Sequence, residues 1–272
     1  MTMTFSLHES IEPNRAFEHM EKWIEARSGS AGGNEVFPLI NEKLNAPMSN
    51  SLIDRVRLVN LIKRSQEQFP ATLISGRSGT GKTAIAAAVA ARSRKAAWYS
   101  VESTDTDWPL FARYLSASLG AKPDNTHNVE NPQAKGTQNE IATFLARHLP
   151  AGRRDNPSLI VLDDIHHIFD APWFADFFNL FLYSLPAESH LLLLCRSKPP
   201  SPLWRLRSKQ MLNVIDEKVL AFSQAEAEAL FASLNIPAEL AADANGDCFG
   251  RVSKLIEYAH QRSTILPPSI NT

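Results

Sequence analysis

Between residues 50 and 218 short apolar runs alternate with stretches of helical periodicity. ATLIS (71–75), AAWYSV (96–101), LIVLDD (159–164) and HLLLLC (190–195) are apolar along most of their length and do not alternate with polar positions. Continuous hydrophobicity marks a strand covered on both faces, as in a parallel sheet between helices. MLNVID (211–216) supplies a fifth strand on the same reasoning. After residue 219 the strand signals stop. FSQAEAEALFASL (222–234), PAELAADA (237–244) and FGRVSKLIEYAHQR (249–262) predict three helices. Ser223 caps the first of them, with Glu226 three residues on. The predicted fold is α/β, a three-layer sandwich on a parallel sheet, followed by a small helical subdomain.

Residues 1–45 follow a different pattern. Phe17, Met20, Trp23 and Ile24 fall at helical spacing and predict a short amphipathic helix over 14–27. SGSAGGN (28–34) reads as a flexible linker, so the helix is either a loose extension or a docking element for a partner. KPDNTHNVENPQAKGTQNE (122–140) is polar and rich in Asn and Pro, a surface loop ahead of a helix over 138–148. The organisation read from these shifts is an extension (1–45), an α/β domain (46–218), a helical lid (219–265) and a tail (266–272).

With 44% hydrophobic and 21% charged residues in 272, the composition is that of an ordinary soluble globular protein. Cys195 and Cys248 match no metal or redox spacing and read as reduced thiols. The start MTMTFSLHES has no secretory pattern and LLLLC is too short to span a bilayer, so the cytoplasm is the expected location. A net charge of −1 argues against autonomous nucleic-acid binding, which calls for a basic excess.

GRSGTGKT, from Gly76 to Thr83, fits G-x-x-x-x-G-K-[ST] at every fixed position. It follows a predicted strand and opens a predicted helix, the context that a phosphate loop requires. Gly76, Gly79 and Gly81 let successive N–H groups, with those of Arg77, Ser78 and Thr80, turn inward around phosphates. The helix N-terminus adds the positive end of its dipole. In this role Lys82 reaches the β- and γ-phosphates and the Thr83 hydroxyl binds Mg²⁺. By average residue usage the four fixed positions match by chance in about one chain in a hundred of this length.

LIVLDDIHHI (159–168) is an apolar strand ending in two aspartates, about eighty residues after the phosphate loop. Asp163 is assigned to Mg²⁺, and Asp164 to orienting or deprotonating the attacking water. His166 and His167 lack the companions of a metal set. Arg196 follows the next strand, where an arginine either senses the γ-phosphate or simply begins a solvated loop. The stripe Trp173, Phe174, Phe177, Phe178, Phe181 reads as helix core, and Trp204 with Arg205 and Arg207 as a packed loop. No base-reading motif separates ATP from GTP.

With these residues in place the chain resembles the nucleotide-binding module of the STAND ATPases, and among them the maltose-regulon activator and large LuxR-type regulators. Four segments carry the resemblance in the family's order: SLIDRVRLVNLI (51–62), GRSGTGKT, AAWYSVESTDTDWPLFARYLSASL (96–119), and the stretch 158–209 with its DDxH and R-S-x-P-P. The resemblance implies an ATP/ADP switch with Mg²⁺, in which ATP favours self-association and slow hydrolysis resets the protein. It implies Arg196 as γ-phosphate sensor, Asp163 with Asp164 as the Mg²⁺ and catalytic pair, and Arg55 as an arginine near the nucleotide. The family's sensor repeats, DNA-reading domain and glycine-x-proline element are not evident in this sequence. DCFGRV (247–252) looks instead like the Gly-x-x-Arg region of AAA+ lids, which makes Arg251 a candidate second sensor.

The expected function is a slow ATPase that controls assembly with itself or a protein partner. The rivals are an AAA+ ATPase assisting a DNA transaction such as transposition, and a non-hydrolysing interaction module.

Overall fold

A computed structural model describes residues 39–48, 52–120, 134–149 and 156–265, with side chains described to 261. The helix expected over 14–27 and the linker at 28–34 lie outside these residues, as does most of the loop at 122–140.

Five parallel strands form one sheet: β1 (Ala71–Ser75), β2 (Ala96–Ser100), β3 (Leu159–Asp163), β4 (His190–Cys195) and β5 (Leu212–Ile215). Their order is β2-β3-β4-β1-β5. The strands were apolar without alternation because alternate residues enter two different cores. Ile74, Val161, Leu192, Leu194 and Ile215 face α1 (Val56–Gln68) and α2 (Lys82–Ala90). Leu73, Ile160, Leu162, Leu191 and Leu193 face the other side. There lie α3 (Trp108–Ser118), α4 (Gln138–His148), α5 (Phe174–Ser184) and α6 (Ser201–Ser208). Trp108, Phe111, Phe144, Trp173 and Phe177 form an aromatic cluster between α3, α4 and α5, with centroids 4.6–5.9 Å apart for the pairs Phe111–Trp173, Trp108–Phe144 and Trp173–Phe177. The aromatic stripe of α5 is core, as its spacing predicts.

A four-residue helix, α7 (Glu217–Leu220), leads into α8 (Gln224–Ser233), α9 (Leu240–Asp247) and α10 (Val252–Ile265). These last three enclose a separate apolar cluster that includes Phe222, Leu230, Phe231, Ile236 and Leu255. Ser223 and Glu226 form the predicted capping box of α8, and Thr137 with Glu140 form another at α4. Two helix starts differ from the sequence reading. The helix placed at 237–244 begins at Leu240, after a turn in which the Leu240 N–H reaches the Pro237 carbonyl (3.2 Å). The helix placed at 249–262 begins at Val252, because Phe249 (φ +51°) and Gly250 (φ +68°) are left-handed and close α9.

The segment before α1 is tied down by a buried ion pair. The Lys43 ammonium donates to both oxygens of Asp105 (2.7 and 2.6 Å) and lies 4.2 Å from the Tyr114 ring centroid.

At the opposite edge of the sheet from the strands' C-terminal ends, a hydrogen-bonded chain crosses three strands. His190 Nδ1 lies 3.0 Å from the Phe69 carbonyl, which can only accept, so Nδ1 carries the proton. Nε2 then accepts from Thr72 (2.9 Å), Thr72 from Ser65 (2.6 Å), and Ser65 from the Asn213 amide (2.9 Å). Burial pushes its pKa from 6.5 down to about 4, so the imidazole is neutral and, with the proton on Nδ1, Nε2 is left to accept. Between those values the unfolded chain binds a proton that the folded chain does not. Stability from this group is therefore present above pH 6.5 and falls by about 3 kcal/mol as pH drops to 4. Urea unfolding of wild type minus His190→Gln should show that slope; a difference independent of pH would contradict the buried neutral imidazole.

Candidate functional site

Parallel pairing brings the C-terminal ends of β1, β3 and β4 to one edge. Ser75 is in register with Cys195, and Ser100 with Asp163. The residues that follow β1 are Gly76–Thr83, and the Gly76 N–H is pinned to the Cys195 carbonyl (3.2 Å). Gly79 (φ +78°) and Gly81 (φ +84°) adopt left-handed conformations that side chains resist. Lys82 and Thr83 open α2. The buried Lys82 ammonium donates to the carbonyls of Gly76 (2.6 Å) and Arg77 (2.9 Å). Burial lowers its pKa, and the Asp164 carboxylate acts in the opposite direction. Thr80 closes the loop on itself through the Arg77 carbonyl (2.9 Å).

Both flanks of the loop are held from outside. Arg77 turns away to Glu217 (2.8 Å), at the start of α7. The lid holds the other flank: Arg251 Nη2 donates to Ser78 O and the Ser253 N–H to Gly79 O, each at 3.1 Å. A Cβ on Gly79 would lie 2.2 Å from Ser253 Oγ, so this glycine is required by close approach as well as by φ.

Asp163, the last residue of β3, accepts from Thr83 Oγ1 (2.9 Å) and from the Asp164 N–H (2.8 Å). Burial, then the charge of Asp164, pushes its pKa from 3.8 up to about 6. Asp164 is left-handed (φ +54°) and opens the 3₁₀ turn Ile165–Ile168. Its two oxygens accept from Arg196 Nε (3.0 Å) and Nη2 (2.6 Å), a bidentate pair. His166 Nδ1 lies 3.7 Å from Asp164, and its ring lies against His167 with centroids 4.2 Å apart. Among the described residues no group of three or more His, Cys, Asp or Glu forms a metal cluster. Lys82, Thr83, Asp163, Asp164 and Arg196, chosen from separate motifs, therefore meet at one edge, and Arg251 reaches the same loop from the lid.

A cavity of about 600 Å³ runs beside α2, between the segment before α1 and the lid. Ile53, Ala87, Phe222, Leu230, Val252 and Ile256 give it apolar walls, and Gly81 and Thr83 stand at its lining. Arg55, only 7% exposed, also borders it. Its Nη2 donates to the Leu220 carbonyl (2.7 Å) and Glu226 (3.1 Å), and its guanidinium lies 4.3 Å from the Phe222 ring centroid. Its Nε and Nη1 are buried without a protein partner. Buried donors left over beside a cavity, next to a glycine cradle, fit an anionic ligand. The adjacent hydroxyl and carboxylate of Thr83 and Asp163 are the hard oxygen donors that suit Mg²⁺. Glu217 and Ser253 escaped the sequence reading, and Glu226 was read only as a cap, because their contacts here join residues at least 140 positions apart and leave no local spacing signal.

Comparison with known proteins places this geometry. The AAA ATPase domain profile matches residues 54–194, more than half of the chain. The chain belongs to the AAA ATPase domain family. Among curated relatives, the HTH-type transcriptional regulator MalT of Yersinia enterocolitica is 29% identical over 206 residues, covering 74% of this chain and 22% of the relative. The same regulator of Yersinia pestis is 28% identical over 197 residues, covering 71% and 22%. The chain thus spans about a fifth of the length of these relatives. The fold is also that of a Walker-type ATPase of Pyrococcus abyssi, at TM-score 0.50, 12% identity and coverage of 76% and 66% of the two chains. The resemblance read from the motifs, to STAND-class P-loop ATPases of the maltose-regulator kind, is borne out by these matches, and the AAA ATPase fold implies nucleotide binding.

Because the folded-state pKa of Asp163 lies above its unfolded value, its ionisation costs stability that grows from pH 3.8 to 6 and is constant above. Asp163→Asn should therefore stabilise the nucleotide-free protein by about 2–3 kcal/mol at pH 7.5, with the gain vanishing near pH 4. Equal stability of the two proteins at pH 7.5 would show that Asp163 is not desolvated as described. Gly79→Ala should push Ser253 away, so amide exchange at the start of α10 speeds up while that of β3 and β4 stays as in wild type. Unaltered exchange at α10 would show that the loop and lid are not in the contact described.

Proposed function

We propose that this AAA ATPase domain is a slow, Mg²⁺-dependent ATP switch that controls assembly with itself or with a protein partner. The observation that carries the reading is the convergence of Lys82, Thr83, Asp163, Asp164 and Arg196 at one sheet edge, with the lid clasping the phosphate loop. The nucleotide-binding part is taken as 46–218 and the lid as 219–265.

In this reading the N–H groups of Gly76, Arg77, Ser78, Gly79, Thr80 and Gly81 cradle the phosphates, and Lys82 trades the loop carbonyls for phosphate oxygens. Thr83 and Asp163 would hold Mg²⁺, which would supply charge neutralisation of the phosphates when bound. The apolar cavity takes the purine base and sugar, and ATP over GTP rests on the family. Arg196 leaves Asp164 for the terminal phosphate, and the carboxylate so released orients or deprotonates water. Arg251 and Ser253 bring the state of the loop to the lid. Among the described residues no helix is long and apolar enough to cross a membrane, and the cytoplasm is proposed as the location.

A second reading, an AAA+ ATPase acting on DNA-bound partners, is favoured by the contact of Arg251 with Ser78. Turnover that rises on adding duplex DNA, and falls in Arg251→Ala without loss of binding, would shift the assignment to it.

The test is solution mass by light scattering with Mg·ADP and with a non-hydrolysable Mg·ATP analogue, alongside calorimetric affinity. Wild type should gain mass with the analogue. Lys82→Ala should bind roughly 10–100-fold more weakly, as expected for a lost charged hydrogen bond, and stay small. Asp164→Asn should bind normally and lose hydrolysis by about 10²-fold or more. Tight binding with a mass that ignores nucleotide in every state would remove self-assembly from the proposal, and normal affinity in Lys82→Ala would remove the site.

A further inference from the structure

Two surfaces play no part in the nucleotide site, and their chemistry is complementary. The first is the outer face of α5 and α6. From Ser197 to Ile215, after Arg196 of the site, the chain holds four basic residues and no acidic residue, in a protein of net charge −1. Arg205, Arg207 and Lys209 are exposed there, with Trp204 (40% exposed) and Tyr183 (60%). Trp204 thus lies on a helix and faces solvent in part, not in the packed loop read from the sequence. Arg207 stacks over Trp204 (5.1 Å), and the Lys209 ammonium stands over Tyr183 (5.7 Å). Trp, Tyr and Arg are the residues that dominate protein interfaces. Here the aromatic rings are already held by cations, which reduces the ordering lost on docking.

The second surface is α9. Glu239, Asp243 and Asp247 follow at i, i+4 and i+8, so they share one face, and all three are exposed. Like charges at this spacing repel, and Asp247 stands at the negative end of the helix dipole. Two residues on, Phe249 is 83% exposed and held at φ +51°, a conformation costly for a bulky side chain. The left-handed turn closes α9, but it leaves an acidic helix face and a solvent-facing aromatic side by side, a surface suited to contact with a basic, aromatic partner.

We infer that the acidic face of α9, with Phe249, docks on the basic aromatic face of α6 in a second copy of this chain. α9 packs on α8 and α10, whereas α6 packs on α5 and β5, so the two faces are separate surfaces. Joining different surfaces gives a head-to-tail contact that can repeat. Arg205 and Lys209 have the same i, i+4 spacing as Asp243 and Asp247, and Phe249 meets Trp204 and Tyr183. The inference rests on the assembly reading above and names the surfaces that meet. Phe249 lies in the turn that leads to Arg251 and Ser253, so the docking face is continuous in the chain with the clasp on the phosphate loop.

The test is charge reversal read as solution mass with the Mg·ATP analogue. Arg205→Glu with Lys209→Glu (the α6 pair), and Asp243→Lys with Asp247→Lys (the α9 pair), should each weaken self-association at least about tenfold. An equimolar mixture of the two variants should regain it, because each reversed face then meets an opposite charge. High salt should weaken the wild-type contact. Nucleotide affinity and thermal stability, measured on each variant, separate a lost contact from a damaged fold. If wild type assembles but neither pair changes its mass, or the mixture does not recover, this interface is wrong while the switch stands. If wild type never assembles although it binds nucleotide, both the interface and the self-assembly reading fall.

Discussion

Parallel hydrogen bonding of β1 to β4, and of β4 to β3, determines where Lys82, Thr83, Asp163, Asp164 and Arg196 lie. In an all-parallel sheet each strand delivers its C-terminal end to the same edge, and β1 sits where the order of strands reverses. The phosphate loop leaves β1, Asp163 ends β3 with Asp164 next to it, and Arg196 follows β4. A slip of one residue in either pairing would turn the side chains of a strand to the opposite core and remove the register of Ser75 with Cys195. The two cores prevent that slip, since both faces of each central strand are filled. The apolar packing thus supplies the positional accuracy that the site needs.

Against that support the site itself carries several costs. Asp163 is buried so deeply that its carboxyl holds a proton nearly to neutrality. Asp164 occupies a left-handed conformation, relieved by its N–H bond to the Asp163 carboxylate. Arg55 keeps two buried donors without protein partners. Lys82 loses solvation and satisfies its charge with loop carbonyls. The costs at Asp163, Arg55 and Lys82 are ones that a phosphate or a divalent cation would relieve, and they distinguish this edge from the other end of the sheet. There the chain from Asn213 to Phe69 is satisfied at every step and serves the fold alone.

The fold class was legible because its signal is repetitive: five apolar runs, helical stretches between them, and a capping pair at α8. The phosphate loop and the aspartate pair were legible because chemistry constrains residues close together in sequence. Arg55 was reached only through resemblance, and Glu217 and Ser253 were not reached, since each acts on a partner more than a hundred residues away. The start of α10 was misplaced for a local reason. Phe249 is not a residue that advertises a left-handed turn, and Gly250 beside it looked like a glycine tolerated within a helix. Trp204 was assigned to packing because an aromatic residue is usually buried, and nothing in the spacing revealed that α6 keeps it at the surface.

The lid is joined to the phosphate loop at two carbonyls and a close approach, not through an extensive apolar contact. Ser78 O and Gly79 O receive Arg251 and Ser253, and Gly79 has no Cβ because Ser253 occupies that space. Arg55 and Arg57 hold the lid from the other side through Glu226, itself a member of the α8 capping box. Such hydrogen bonds are individually modest, so a ligand that reorients the loop carbonyls or engages Arg55 has enough interaction energy to shift the lid. The apolar cluster inside the lid is separate from both sheet cores, which lets the subdomain move as a body while its own packing is retained. In the proposed switch, small displacements at Gly79 would reach α9 and α10 through these contacts.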